Sequence, residues 1–127
     1  MATTNNAIQV SAALSCSLLS QPPIGQSASF NLAYTDGDTA GDNYVSCAIS
    51  TGTALNAAMG GNGMLLVTNP STNLYNVTLK ISSTTIGDIM PGCMALLPLN
   101  SGTIVTGVSA TAAQTVGVTV LECDLNA

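Results

Sequence analysis

Positive charge is nearly absent from this chain. One lysine, Lys80, stands against six acids, and there is no arginine or histidine. Binding to phosphates rests on Lys and Arg displacing counterions. A nucleic-acid partner held by charge is therefore excluded, and so is an anionic membrane surface. Charged residues of both signs make up 6% of the sequence, against about 25% in ordinary soluble proteins. Ser, Thr, Asn, Gln and backbone must cover the surface instead. With a formal net charge of only -5 to keep copies apart, so ion-poor a surface suits burial in an assembly. No apolar run approaches the roughly 18 residues that span a bilayer. The leading residues Met1 to Asn6 lack the basic and apolar regions of a signal peptide, which implies synthesis without secretion.

The four cysteines, Cys16, Cys47, Cys93 and Cys123, contain no C-x-x-C pair. Zinc sites usually include one close ligand pair, and histidine is missing, so a zinc site is not expected. Cys16 and Cys47 share the parity of the apolar residues around them. The expectation is buried thiols acting as small hydrophobes.

What the chain does have is short alternating apolar segments separated by turn residues. A polar arm, residues 1–6, leads into Ile8, Val10, Ala12, Leu14, Cys16 and Leu18, which alternate with mostly small polar residues. Period two over so many positions predicts a strand. The double proline Pro22-Pro23 ends it by removing ladder donors. Ala28, Phe30, Leu32 and Tyr34 predict a second strand, and Tyr44 to Ser50 a third, with Val45, Cys47 and Ile49 inward. Thr51 to Asn62 reads as a loop, with at most one helical turn over Ala54 to Met59.

From Gly63 onward the punctuation is denser. Met64 to Thr68 runs into Asn69-Pro70. Tyr75, Val77, Leu79 and Ile81 alternate with Asn76, Thr78 and Lys80. Ile86 to Ile89 precedes a Met90-Pro91-Gly92 turn, and Cys93 to Leu97 precedes Asn100-Ser101-Gly102. Thr103 to Thr106 and Thr115 to Glu122 close the series. Eight or nine short strands without helical pattern between them predict an all-β fold, an antiparallel sandwich of jelly-roll type, occupying residues 7–127 as one domain. An immunoglobulin-like sandwich ranks second, because the tryptophan that packs in such cores is absent.

Chemistry finds little purchase here. Asp36, Asp38 and Asp42 have a D-x-D-x-x-x-D spacing that offers carboxylates to calcium, but the loop lacks the distant bidentate Glu of an EF-hand. Its Asp-Gly and Gly-Asp pairs equally serve turn geometry. Glu122 and Asp88 are the carboxylates to weigh as an acid–base pair, although strand-end acids are ordinarily just solvated. A nucleophile would have only Lys80 as a base. Gly60-Gly61-Asn62-Gly63 precedes a strand, so it lacks the helix N-terminus that cradles phosphate. No catalytic residue, cofactor or metal site is expected, with Asp36, Asp38 and Asp42 the one weak candidate. Carbohydrate binding favours exposed aromatics. Of Phe30, Tyr34, Tyr44 and Tyr75, strand parity buries all but Tyr44.

The run Val67-Thr68-Asn69-Pro70-Ser71-Thr72-Asn73, then Tyr75-Asn76-Val77, Ile89-Met90-Pro91-Gly92 and Ala95-Leu96-Leu97-Pro98-Leu99, followed by Thr103-Ile104-Val105 and Val118 to Glu122, resembles small β-sandwich virion proteins of tailed bacteriophages. In that group a V-T-N…N-x-V hairpin is followed by a P-G turn and a short apolar strand. Where an acid often follows the P-G, this chain has Cys93. The resemblance spans roughly residues 63 to 122 and implies a non-enzymatic capsid decoration, or cement, protein. Such a protein is made in the host cytoplasm and resides on the virion capsid surface. Its implied partners are the major capsid protein and copies of itself, a trimer suiting local three-fold positions. The alternative is a glycan- or host-binding module of a phage fibre or bacterial surface structure. A small hydrolase ranks third.

Overall fold

The computed structural model describes residues 7–16, 24–33, 39–48, 51–58 and 62–123. They form an all-β, antiparallel structure of ten strands. The chain divides into two compact units, Met1–Asp36 and Gly37–Ala127.

In the first unit β1 (Ala7–Cys16) and β2 (Ile24–Ala33) pair antiparallel over their whole length, from Ala7 opposite Ala33 to Cys16 opposite Ile24. The alternation seen in the sequence is thus realised as a two-stranded ribbon.

The second unit holds β3 (Thr39–Cys47), β4 (Thr53–Ala54), β5 (Asn62–Asn69), β6 (Val77–Ile81), β7 (Thr84–Ile89), β8 (Cys93–Leu99), β9 (Val105–Ser109) and β10 (Gln114–Cys123). They make two four-stranded sheets, β3-β10-β5-β8 and β4-β9-β6-β7. Counted from β3, the orders are 1-8-3-6 and 2-7-4-5, the pairing of a jelly roll. The topology has a simple origin. β3 pairs with β10, β4 with β9, β5 with β8 and β6 with β7. The chain is therefore one long hairpin, closed at Ser82-Ser83 and rolled up so that successive pairs fall on alternate sheets. Pairing of β5 with β10 and of β6 with β9 stitches the roll.

The core lies between the two sheets. Cys47, Leu65, Val67, Leu99, Val116 and Val118 come from the first sheet. Val77, Leu79, Ile89 and Val105 come from the second, with Leu55 just after β4. All are β-branched, leucine or cysteine, which fit a pleated surface. Gly107 of β9 marks a close approach between the sheets. A Cβ built there would lie 2.6 Å from Cys47 Sγ and 3.3 Å from Leu55 Cδ2, so the thiol fills the space a side chain would need.

Two local expectations change. No helical turn forms over Ala54 to Ala58. Thr53 and Ala54 pair with β9, and the buried Asn56 amide fixes the bend that follows by donating to Ala57 O (2.8 Å) and Thr103 O (3.0 Å) and accepting from Val105 N (2.8 Å); Met59 lies outside the described residues. The third strand begins at Thr39 rather than Tyr44, because β10 runs far enough to pair Glu122 with Thr39.

Candidate interaction surface

The sequence of β5 and β8 differs in kind from that of β6. In β6, Val77 and Leu79 are buried while Thr78 and Lys80 point away, a one-sided alternation. In β5, Met64-Leu65-Leu66-Val67 is apolar at both parities, and so is Met94 to Leu97 in β8. Strands that read this way belong to sheets covered on both faces. The inner face of this sheet meets the core. Its outer face meets nothing else within the described residues of the second unit.

Register sets out the outer face row by row. Tyr44, Gly117, Thr68 and Met94 form one row across β3, β10, β5 and β8, and Asp42, Thr119, Leu66 and Leu96 form the next. Leu121, Met64 and Pro98 continue it. Met64, Leu66, Leu96 and Leu121 are half-buried, while Tyr44 and Met94 are 75% and 67% exposed. Gly117 explains the lie of the tyrosine. A Cβ at Gly117 would stand 3.6 Å from the Tyr44 ring and 2.6 Å from Thr68 Oγ1, so only glycine lets ring and hydroxyl close over the strand between them. With strands about 4.8 Å apart and rows about 6.8 Å apart, the patch covers several hundred Å². Its apolar members, Met64, Leu66, Met94, Leu96 and Leu121, lie beside Thr68, Thr119 and Asp42, and apolar side chains rimmed by polar ones are the make-up of a contact site.

One end of the sandwich carries a second group of exposed apolar side chains. Leu74 is 79% exposed and Met90 is 57% exposed, on the β5–β6 loop and the β7–β8 turn. A single buried amide ties these loops together. Asn69 Nδ2 donates to Tyr75 O (3.1 Å) and Ile89 O (2.8 Å), and Asn69 Oδ1 accepts from Asn73 Nδ2 at 2.6 Å. Asn73 Nδ2 also donates to Thr115 O at 2.9 Å, and Gln114 Oε1 accepts from Leu74 N at 3.1 Å. Gly92, with φ +84° at the β7–β8 turn, donates its N–H to Asn69 O. The V-T-N and P-G segments that stood out in the sequence are thus parts of one hydrogen-bonded brace.

The carboxylates do not assemble into a site among the described residues. Asp42 lies on strand β3, not in a loop, and its Oδ1 accepts from Thr119 Oγ1 at 3.1 Å. Asp36 and Asp38 lie outside the described residues, so the calcium candidate is represented by Asp42 alone. Among the described residues no three Asp, Glu, His or Cys cluster as a metal site. Asp88 sits on β7 of the second sheet and accepts from Thr78 Oγ1 at 2.7 Å. Glu122 belongs to β10 of the first sheet, and its side chain lies outside the described residues. Cys47 is buried and free, and desolvation pushes its thiol up to about 11. Cys93, expected to be buried, is free and exposed, because it opens edge strand β8 directly after the turn. Tyr75, also expected inside, is 37% exposed, since β6 starts only at Val77 and leaves Tyr75 in the loop. Phe30's side chain and Tyr34 lie outside the described residues. Strand parity left only Tyr44 outward, and it is exposed. Sequence reasoning missed the apolar outer face, although the signal was present in the double-parity runs of β5 and β8.

No protein-family model matches the chain, and no curated protein matches it.

Proposed function

We propose that this chain is a non-enzymatic virion structural protein of a tailed phage, a capsid decoration protein that binds the major capsid protein as a homo-oligomer, with a trimer the expected state. The observation that carries the reading is the outer face of β3-β10-β5-β8, an apolar sheet surface with a single acid, Asp42, among its described side chains. The jelly roll adds a fold-level analogy, since viral capsid domains use it, though fold alone does not fix function. Fully burying an exposed leucine-sized side chain contributes about 1.5–3 kcal/mol; Met94 has most of that to gain and the half-buried Met64, Leu66 and Leu96 a part of it, without stranding ions in the contact, where an unpaired charge is costly. Many copies on one particle multiply weak contacts through avidity. Bridging adjacent capsid subunits then raises the cost of separating them.

A direct test compares particles with and without the protein. Decorated particles should survive higher temperature and stronger osmotic shock. Leu66→Asp should abolish rebinding at some cost to the free protein's own stability. Met94→Asp, at a largely exposed position of the same face, should weaken rebinding while leaving the thermal transition of the free protein near that of wild type. Unchanged particle stability on removal contradicts the reading.

Tyr44 favours one second reading. An exposed ring two residues along the strand from Asp42, with Thr68 and Thr119 beside them, is the mix of aromatic face and hydrogen-bonding groups that a sugar requires. Under the glycan-binding alternative, Tyr44→Ala removes binding to glycans and Leu66→Asp matters less. Under decoration, the order reverses.

A further inference from the structure

The β1–β2 ribbon is too small to stand alone. An isolated two-stranded hairpin is marginally stable at best in water, yet this one runs ten residues in each strand and pairs without a break. Its register makes the reason plain. Ile8 lies opposite Leu32, Val10 opposite Phe30, Ala12 opposite Ala28, and Cys16 opposite Ile24. Positions two apart share a face, so one face of the ribbon is apolar but for Gln26, which lies opposite Leu14. The other carries Gln9 opposite Asn31, Ser11 opposite Ser29 and Ala13 opposite Ser27. At the waist, Ala12 and Ala28 of the apolar face are exposed, as are Ser11, Ala13 and Ser27 of the other. These small residues line a shallow hollow of about 300 Å³. The apolar face thus has the pattern of a sheet layer that packs against a second layer.

Charge decides what supplies it. The six acids and the one lysine all lie at position 36 or later; residues 1–35 carry no charged side chain. Copies of the chain therefore repel through their sandwiches, with a net charge of -5, and meet through their ribbons without setting like charges against each other. On the apolar face the waist carries only Ala12 and Ala28, small enough to let a second backbone come close. We infer that the ribbon is the self-association element of the protein, its apolar face packing on the ribbons of other copies. The inference rests on the homo-oligomeric part of the reading above and gives that oligomer its surface.

The test uses the full chain in sedimentation equilibrium, with substitutions at exposed positions of the ribbon. Wild type should form a discrete oligomer. Ala12→Asp and Ala12→Lys should each raise its dissociation constant by about a hundredfold or more, as like charges brought together across an interface do. Mixed in equal amounts, the two variants should reassemble. Ser11→Asp, on the opposite face, should leave the oligomer intact, and an unchanged thermal transition of the sandwich should accompany every variant. A monomeric wild type, an Ala12→Asp oligomer of wild-type mass, failure of the mixture to reassemble, or dissociation by Ser11→Asp overturns the inference. A wild type that is monomeric yet coats particles overturns this inference alone. One that assembles through the ribbon yet is missing from particles overturns the decoration reading alone.

Discussion

At the scale of single residues, the two sheets are fitted to each other at Gly107 and Cys47. Gly107→Ala places a methyl group 2.6 Å from a buried sulfur, and the surrounding Leu55 and Val77 leave it little room to move. The variant should lose about 1–3 kcal/mol of stability, the usual cost of overpacking, read as a shift in urea midpoint. Cys47→Ala should relieve that loss in part, because it removes the clashing atom. The thiol also carries a pH signature. Its value is pushed from 9.0 to about 11 by burial, so between those limits the folded chain holds a proton that the unfolded chain has released. Its contribution to stability is fully present below pH 9 and is lost as pH rises through 11, by an amount on the order of 2–3 kcal/mol. Cys47→Ala should flatten that limb of the urea-midpoint profile. In native protein at pH 8, a thiol reagent should label Cys93 and spare Cys47.

At the scale of elements, turn residues set where the rolled hairpin folds. Ser82 opens the two-residue β6–β7 loop at φ 58°, a conformation that glycine adopts without a steric penalty. Ser82→Gly should therefore stabilise the sandwich by about 0.5–1 kcal/mol in denaturant unfolding. Edges are managed in different ways. β8 carries Pro98, which has no donor to offer a stray strand, and β4 is two residues long. On β7, opposite Leu79 and Lys80 of β6, the register slips, a bulge that leaves Ile86 unpaired and discourages strand addition. These devices bear on what was legible beforehand. Alternation at Val77 and Leu79, and the turns at Pro91-Gly92 and Ser101-Gly102, identified strands and a jelly roll from sequence because period and turn chemistry are local. Strand β4 was not legible, since Thr53 and Ala54 are held by pairing with residues about fifty positions away. Asp42 was misplaced for the same reason. Its sequence surroundings read as a loop, and only the reach of β10 makes them a strand. The apolar outer face was written in Met64 to Val67 and Met94 to Leu97, but a double-parity run does not say which face is the core.

At the scale of the whole molecule, composition and topology point the same way. A chain with 6% charged residues folds into a jelly roll whose first sheet carries Met64, Leu66, Met94 and Leu96 on its outer face as well as an apolar core inside. It carries an uncharged ribbon with an apolar face of its own. Under the proposed reading an assembly uses both, the ribbon between copies and the sheet against a shell. Salt should affect that assembly little, because few ions take part and Debye screening acts on charges. The most direct measurement is the number of copies in a purified particle, obtained by quantitative mass spectrometry against the major capsid protein. A decoration protein should be present in hundreds of copies, in a fixed ratio to the capsid subunit, and Leu66→Asp should bring that ratio close to zero. A few dozen copies or fewer, or a ratio unmoved by Leu66→Asp, would contradict a decoration role.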